Sequence, residues 1–259
     1  MTVRPPAVAG TFYPADPQAL RAQVAQLLRA NGKSIALRPK AIIAPHAGYV
    51  YSGPVAASVY NLLRGATGIE RVLLIGPAHR AFVRGLALPA AEEFVTPLGK
   101  IPLDLEALEK LKALPQVAVS EAAHAFEHSL EVQLPFLQSV LPPFRLVPLV
   151  VGDAAPETVA QVIDAVWTDD TTLPVISSDL SHFLDYAQAR AMDAATGEAI
   201  LEGADDLAPD QACGCMAING LMRSLARRAL KVSLVDMRNS GDTAGSRDRV
   251  VGYASYVIH

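Results

Sequence analysis

Three short apolar segments of the chain are each followed within a few positions by a histidine. Segments of this length that are apolar at nearly every position are typical of parallel strands buried on both faces of a sheet. Ligands of open α/β sheets collect beyond the carboxyl ends of such strands, so the polar residues after them are predicted to meet at one site. The segments, with the residues that follow, are 40–45 with His46, 72–78 with His79, and 174–178 with Asp179 and His182. Imidazoles beside a carboxylate are suited to a metal centre or to acid–base catalysis.

The composition favours one cytoplasmic domain and argues against two classes of partner. The chain has 259 residues, of which 51% are hydrophobic, which is enough for one large α/β domain or two small ones. Because it shows no long linker, residues 1–259 are predicted to form a single domain. A net charge of −4 lacks the basic excess of a nucleic-acid-binding protein. No apolar stretch reaches the roughly 18 residues that cross a bilayer, and the N-terminus lacks the apolar core of a signal peptide. We therefore expect a cytoplasmic location with neither nucleic acid nor membrane as a partner.

Apolar segments alternate with helical patterns along the chain. This βαβα order predicts an α/β fold with a mixed, mostly parallel sheet flanked by helices on both faces. Residues 83–103, which are rich in glycine and proline, predict a small antiparallel section. The helices that matter most below are predicted over 16–30, over 54–63 with Pro54 in the first turn, and over 210–225 with both cysteines.

The loops around the first two histidines have features of ligand-binding loops. His46 is followed by two glycines, which permit tight turns, and by Tyr51, whose phenol could donate a hydrogen bond to a ligand. His79 follows small residues that let the backbone approach a ligand, and Arg80 and Arg84 could hold an anionic group. The alternative for each histidine is a purely structural role, such as a hydrogen bond to a backbone carbonyl.

The segment after the third strand has the densest cluster of polar residues. Asp179 could bind a metal or orient a histidine, and His182 could be a ligand or a general acid or base. The competing interpretation is that Asp179 or Ser181 caps a helix.

Residues 124–131 contain two histidines four positions apart. On a helix, His124 and His128 would share a face, as in zinc-binding helices, but the glutamate that such motifs carry between them is absent. We interpret His124 as a surface or capping residue. His128 with Glu131, or Glu127 with Glu131, could orient a ligand, and His128 and Glu131 are also candidates to contact the substrate.

Cys213 and Cys215 are separated by one residue and do not form a Cys-x-x-Cys redox motif. Cys213, near the start of the predicted helix over 210–225, would have its thiolate stabilised by the helix dipole. A set of two histidines and one cysteine could hold iron, copper or zinc, whereas a thiolate disfavours magnesium and calcium. A buried free cysteine is the alternative for both positions.

Six motifs in order along the chain resemble the Memo family, whose prokaryotic members are the B component of the AmmeMemoRadiSam set. The similarity begins at residues 4–14 and spans nearly the whole chain. The motifs are PHAGY at 45–49, GPAH at 76–79, EHSLEVQLPF at 127–136, SDLSH at 178–182, CG at 213–214 and VGYAS at 251–255.

The resemblance implies a fold similar to that of class III extradiol dioxygenases and a metal site of His46, His79 and Cys213. It also implies that His182 is the acid or base, with Asp179 beside it. The dioxygenases complete their iron site with a carboxylate, whereas this chain has Cys213 at the matching position, so ring cleavage does not carry over directly. A thiolate favours copper or an altered iron potential, so non-haem Fe(II) or copper is expected before zinc.

Three functions are consistent with this set of residues. The first is a metal-dependent oxidoreductase, similar to the dioxygenases, in which His182 moves protons. The second is a binding module that holds a peptide or small molecule in the same pocket without turnover. The third is a zinc-dependent hydrolase. The family resemblance also implies a functional link to a radical-SAM protein.

Overall fold

The computed structural model describes residues 2–32 and 38–259. The strands are β1 (Val3–Arg4), β2 (Ala41–Ala44), β3 (Arg71–Pro77), β4 (Leu86–Leu88), β5 (Glu93–Thr96), β6 (Gly99–Pro102), β7 (Val117–Val119), β8 (Arg145–Val151), β9 (Thr172–Ser177), β10 (His182–Leu184), β11 (Val232–Asn239) and β12 (Val250–Ile258). The helices are α1 (Pro17–Ala30), α2 (Tyr49–Tyr60), α3 (Leu105–Lys112), α4 (Glu121–Ala125), α5 (Leu134–Val140), α6 (Pro156–Val166), α7 (Tyr186–Glu202) and α8 (Cys215–Leu225). None of these helices is both long and apolar enough to cross a membrane.

A large mixed sheet forms the centre of the fold, with the strand order β10-β12-β2-β9-β3-β8-β4-β7 and with β11 paired to β12. The four central strands β2, β9, β3 and β8 run parallel to one another. They are almost completely buried, as expected for strands covered on both faces. β12 and β4 flank this group in antiparallel orientation. The prediction of a mixed, mostly parallel sheet is therefore confirmed.

Helices cover the sheet in two groups. α2 packs on β2, β11 and β12 and also contacts α1 and α5. α6 and α8 pack on each other, and α8 contacts β3 and β9. Their apolar residues join those of the strands in one continuous core, which supports the flanked-sheet architecture predicted from the alternating pattern.

A small second sheet, β1-β5-β6, lies beside the large one. β5 and β6 pair in antiparallel fashion, as the composition of residues 83–103 predicted. β1 adds to this sheet parallel to β5, and it brings Arg4 to the buried residues near the histidines.

Of the three helices singled out above, the first is confirmed. Asp16 caps α1 by accepting a hydrogen bond from the backbone N–H of Ala19 at 2.8 Å, and Pro17 occupies the first turn. The residues of α1 that face the core are Leu20, Val24 and Leu28.

The other two helices begin at different residues from those predicted. α2 begins at Tyr49 and contains Pro54 in its interior. The tertiary contacts of Tyr49, whose buried hydroxyl donates to the carbonyl of Val132 at 2.8 Å, outweigh the preference of proline for a first turn. α8 begins at Cys215, so Cys213 lies in the turn before the helix.

Gly214 explains why the chain turns before α8. Its N–H donates to Ser178 Oγ at 2.9 Å, and a Cβ at this position would lie 2.6 Å from the Cβ of Ser178. Only glycine lets the backbone approach the end of β9 this closely. The turn thereby brings Cys213 to the edge of the sheet where the histidines lie.

Candidate metal centre

Three adjacent parallel strands deliver polar residues to one edge of the sheet. β9 lies between β2 and β3. His46, His79 and Asp179 each stand two residues beyond the end of their strand. The carboxyl ends of parallel strands meet at a common edge. The sequence pattern therefore located the site through the order of the strands.

Three imidazoles converge at this edge. One ring nitrogen from each of His46, His79 and His128 can be chosen so that all three lie within 4.8 Å of one another, an arrangement that could hold a metal ion. Their ring centroids are 4.8–5.6 Å apart. His128 reaches the cluster from the turn after α4. Because it does not follow a strand, the strand-end pattern did not predict its place in the cluster.

Hydrogen bonds to Ser177 fix the tautomer of His46. The Ser177 hydroxyl donates to the carbonyl of Ser129 at 2.6 Å and accepts from the Gln133 amide at 2.8 Å. Because its proton is already used, it accepts from His46 Nδ1 at 2.8 Å. The ring then presents the lone pair of Nε2 to the centre. Burial, together with the neighbouring His79, keeps the pKa of His46 well below its usual range, so the ring is neutral, as a metal ligand must be.

Glu127 orients His79 in a similar way. Its carboxylate accepts from His79 Nδ1 at 2.9 Å and from the backbone N–H of His79 at 2.5 Å. Burial alone would raise the pKa of Glu127, but these contacts and a backbone N–H of Ser129 lower it to about 2. The ionised carboxylate therefore holds the proton of His79 on Nδ1 and leaves Nε2 free, as in the carboxylate–histidine pairs of metal sites.

His128 is held less firmly than the other two rings. Its ring stacks on His79, and Phe12 lies 4.8 Å away, centroid to centroid. Nδ1 is buried, lies 3.4 Å from Glu127 Oε1 and has no hydrogen-bond partner among the described residues. Burial lowers the pKa of His128 to about 4, so this ring is also neutral.

Cys213 contacts the cluster through His46. Its Sγ lies 3.3 Å from His46 Nε2 and accepts a hydrogen bond from the backbone N–H of Asp179, also at 3.3 Å. Burial raises the pKa of the Cys213 thiol, and the nearby Asp179 raises it further. The prediction that a helix N-terminus stabilises a thiolate here is wrong, because Cys213 precedes α8, and burial and the Asp179 carboxylate outweigh the hydrogen bonds that favour the thiolate.

Asp179 and His182 lie beside these groups in different settings. The Asp179 carboxylate accepts from the backbone N–H of His46 at 2.7 Å, so it orients the first loop and does not cap a helix. Burial raises the pKa of Asp179 to about 6 despite this hydrogen bond. His182, at the start of β10, has its Nδ1 2.8 Å from the carbonyl of Leu180, which places the proton on Nδ1 and leaves Nε2 as an acceptor.

An open cavity of about 400 Å³ adjoins the centre. Its volume is within the range of small-molecule sites. His79, His182 and Cys213 line one part of it, and the rest of the wall is mostly apolar but includes the carboxylate of Asp210. A ligand in this cavity would contact two of the expected metal ligands and the expected acid or base at once.

Two residues expected at the ligand lie elsewhere or at the margin. Glu131 is buried, and its carboxylate accepts four hydrogen bonds from the N-terminal segment, so it anchors that segment instead of orienting a histidine. The donors are Arg4 Nη1, the backbone N–H groups of Ala7 and Val8, and the Tyr13 hydroxyl. Tyr51 lies in the first turn of α2 and is 39% exposed. The pKa of Tyr253 is raised by burial, then by Asp179 and by Tyr51, which places Tyr51 near Tyr253.

The interpretation of His124 as a surface residue is wrong. The side chain is buried and its Nε2 lies 2.8 Å from the carbonyl of Ala87. α4 ends at Ala125, so His124 and His128 do not share a helix face. No local pattern indicated Ser177, which bonds to His46 Nδ1, or Gln133, which donates to Ser177, because both contacts join distant parts of the chain.

The donor set fits a transition metal. The imidazoles of His46 and His79 present Nε2, and a thiol lies at 3.3 Å from His46, close to the ~3.5 Å that separates nitrogen and sulfur ligands of a tetrahedral ion. One ring nitrogen of His128 lies within 4.8 Å of ring nitrogens of His46 and His79, so His128 offers a further donor at the same place. The three imidazoles could therefore hold a metal ion, and the thiol of Cys213 lies next to one of them.

Comparison with known proteins identifies the family of this chain. A family model described as Memo-like protein matches residues 4–257. The chain belongs to the Memo family. A MEMO1 family protein of Aquifex aeolicus is 35% identical over the whole of both chains, and one of Archaeoglobus fulgidus is 36% identical over 99% of each. The resemblance seen in the six motifs is thus confirmed.

A solved structure shares the fold of this Memo protein. The uncharacterised protein JW3007 of Escherichia coli K12 aligns with a TM-score of 0.53 and covers 85% of this chain and 99% of its own. The sequences are 14% identical, so this similarity concerns the fold alone.

Proposed function

We propose that this Memo protein is a redox-active metalloprotein in which His46, His79 and Cys213 hold non-haem Fe(II) or copper. The observation that carries the proposal is the contact between His46 Nε2 and Cys213 Sγ beside His79. Each of the two imidazoles is bound through Nδ1 to a partner that keeps Nε2 available. Soft thiolate and borderline imidazole ligands favour copper or a thiolate-bound iron over magnesium or calcium.

His128 is the competing third ligand. One ring nitrogen of each of the three histidines lies within 4.8 Å of the other two, so the three rings alone could hold an ion. Cys213, by contrast, offers a soft ligand that must lose its proton on binding. Metal content of single variants distinguishes a site that needs Cys213 from one that needs His128.

The neighbouring residues support acid–base chemistry in the same cavity. Bound iron or copper would supply electron transfer and a Lewis acid. His182 would accept a proton at Nε2, because its Nδ1 faces a backbone carbonyl. Asp179 would keep His46 in place, because its carboxylate accepts a hydrogen bond from the backbone N–H of His46. The cavity beside them fits a small molecule or a short peptide side chain.

The metal assignment is tested by elemental analysis of protein purified without oxygen and loaded separately with Fe(II) and copper. We expect about one ion per chain, and we expect His46→Ala and Cys213→Ser to lose it while His259→Ala keeps it. His259 lies at the C-terminus and hydrogen-bonds to Ser233, so it is a matched control. Wild-type metal content in His46→Ala and Cys213→Ser would exclude the proposed ligands.

The redox assignment is tested by oxygen consumption of the Fe(II)-loaded protein with a panel of catechols. Turnover that is lost in His182→Ala supports an oxidoreductase. Saturable binding of a catechol or peptide with no oxygen consumption would favour the binding module, and zinc as the ion that co-purifies would favour the hydrolase. The cytoplasmic location and the link to a radical-SAM protein stay predictions.

A further inference from the structure

A second cavity, of about 660 Å³, lies away from the histidines. Arg64 and Phe144, which line it, stand before β3 and β8 respectively, at the amino edge of these strands. The histidine cluster is at the carboxyl edge, and the seven residues of β3 span roughly 23 Å between the two edges. The two cavities are therefore separate sites.

The wall of this cavity is basic. Arg21, Arg29, Arg64 and Lys100 line it, and no aspartate or glutamate from the described part of the chain does. Lys100 forms an ion pair with Glu93 at 2.7 Å. The side chains of the three arginines make no ion pair or hydrogen bond with any described residue. Three guanidinium groups without a carboxylate partner among residues 2–32 and 38–259 contrast with the net charge of −4 of the whole chain, and they would attract an anion.

The floor of the cavity is apolar. Leu28, Ile101, Leu141 and Phe144 are buried there. α1 contributes both kinds of surface from one face, because Arg21, Ala25, Leu28 and Arg29 are spaced by four, three and one positions. A cavity of this size with an apolar floor and a few charged groups at its wall is typical of a ligand site.

We propose that this basic cavity binds an amphipathic anion, in which a carboxylate or phosphate contacts the arginines and a hydrocarbon chain covers the apolar floor. Arginine suits both head groups, because its planar fork donates two hydrogen bonds to either. A free acyl acid or alkyl phosphate and an anionic membrane lipid share this chemistry. The site is independent of the metal centre and of the function proposed for it.

The proposal is tested by titration calorimetry of the full chain with octanoate and with octyl phosphate. We expect saturable binding of one molecule per chain. Octanol lacks the charge and inorganic phosphate lacks the hydrocarbon chain. The affinity for each should be at least about tenfold lower than for octyl phosphate. Binding of inorganic phosphate as tightly as octyl phosphate would contradict the role of the apolar floor.

Variants locate the binding. The double variant Arg29→Gln with Arg64→Gln should weaken binding of octyl phosphate about tenfold or more. Ala25→Phe, which fills the cavity without changing its charge, should weaken it too. Arg190→Gln removes an exposed arginine on α7 outside the cavity and should bind as the wild type does. The proposal would be overturned if the wild type bound neither the soluble probes nor the anionic vesicles in a saturable way. It would also be overturned if the double variant bound as tightly as the wild type.

Vesicles distinguish the two sources of the anion. Co-sedimentation with phosphatidylglycerol vesicles but not with phosphatidylcholine vesicles, lost in the double variant, assigns the cavity to a lipid head group. Binding of the soluble probes alone assigns it to a free molecule. Vesicle binding that survives in the double variant contradicts the proposal. Metal content, measured in parallel, should be unchanged in all of these variants, so a failure here is separable from a failure of the metal centre.

Discussion

At the scale of single residues, the centre depends on groups that hold the imidazoles as much as on the imidazoles themselves. Glu127 contacts both the ring and the backbone of His79, and Ser177 holds His46. Such partners fix the tautomer and the orientation of the rings in the folded protein. Binding of a metal therefore needs no further ordering of these side chains.

Replacing Glu127 with glutamine should weaken metal binding about 10–100-fold, because His79 would lose the charged partner that keeps its proton on Nδ1. The measurement is a competition titration against a chelator of known affinity. Glu121→Gln, at an exposed position in the first turn of α4, is the matched control and should bind as the wild type does. Equal affinities in the two variants would show that His79 is not a ligand or is not held by Glu127.

The sequence was sufficient to predict some of these residues but not their partners. His46, His79 and Asp179 follow strands, and parallel strands end at one edge, so their meeting followed from the fold class. Glu127 and Ser177 act through contacts between segments about 48 and 131 positions apart in the chain, for which local pattern gives no signal. Glu131 could not be separated from Glu127 in sequence, yet it binds the N-terminal segment instead.

At the scale of elements, the N-terminal segment is tied to the turn that carries the site. Arg4 of β1 forms a buried ion pair with Glu131 at 2.8 Å and donates to the backbone carbonyls of His124 and Glu127. Four donors on one buried carboxylate leave it well compensated. The segment therefore stabilises the turn from which His128 and Glu127 reach the centre.

Arg4→Met should lower the free energy of unfolding by about 3–5 kcal/mol, because the Glu131 carboxylate would stay buried without its cation. Urea unfolding followed by circular dichroism measures the change. Lys110→Met breaks an exposed ion pair with Glu106 and should leave the free energy of unfolding close to that of the wild type. Similar losses in both variants would mean that the buried pair contributes no more than a surface one.

The segment that leads to His182 packs against β12, and this contact depends on the absence of a side chain at Gly252. Gly252 exchanges backbone hydrogen bonds with Leu180 and Ser181 at 2.8 Å each, and a Cβ on it would lie 2.1 Å from Asp193 Oδ2. Gly252→Ala should therefore destabilise the protein by about 1–3 kcal/mol or more and shift the loop that carries His182. Gly32→Ala, whose nearest contact would be an ordinary 3.6 Å, is the control. Thermal unfolding of both compares them, and equal midpoints would refute the steric argument.

Element boundaries show where local pattern stops being informative. The start of α1 was predictable because its cap and first-turn proline are adjacent in sequence. The starts of α2 and α8 were not, because tertiary contacts of Tyr49 and Gly214 decide them. The predicted start of α8 placed Cys213 inside the helix, whereas the structure places it in the preceding turn. The environment of the thiol therefore differs from the one expected.

At the scale of the whole molecule, the centre joins parts of the chain that are far apart in sequence. His46 and His79 follow different strands, and Cys213 comes from the turn before α8. An ion held by these residues would bind the native state and not the unfolded chain. Metal binding and global stability are therefore linked by mass action.

The linkage gives a quantitative expectation for the intact protein. A free metal concentration 100 times the dissociation constant should raise the free energy of unfolding by about 2.7 kcal/mol, provided that the unfolded chain does not bind the ion. Thermal unfolding of metal-loaded and chelator-treated protein measures the difference. His46→Ala should unfold at the same temperature with and without metal, whereas His259→Ala should show the wild-type shift. A metal-dependent shift that persists in His46→Ala would place the stabilising ion elsewhere, even if the protein contained one ion per chain.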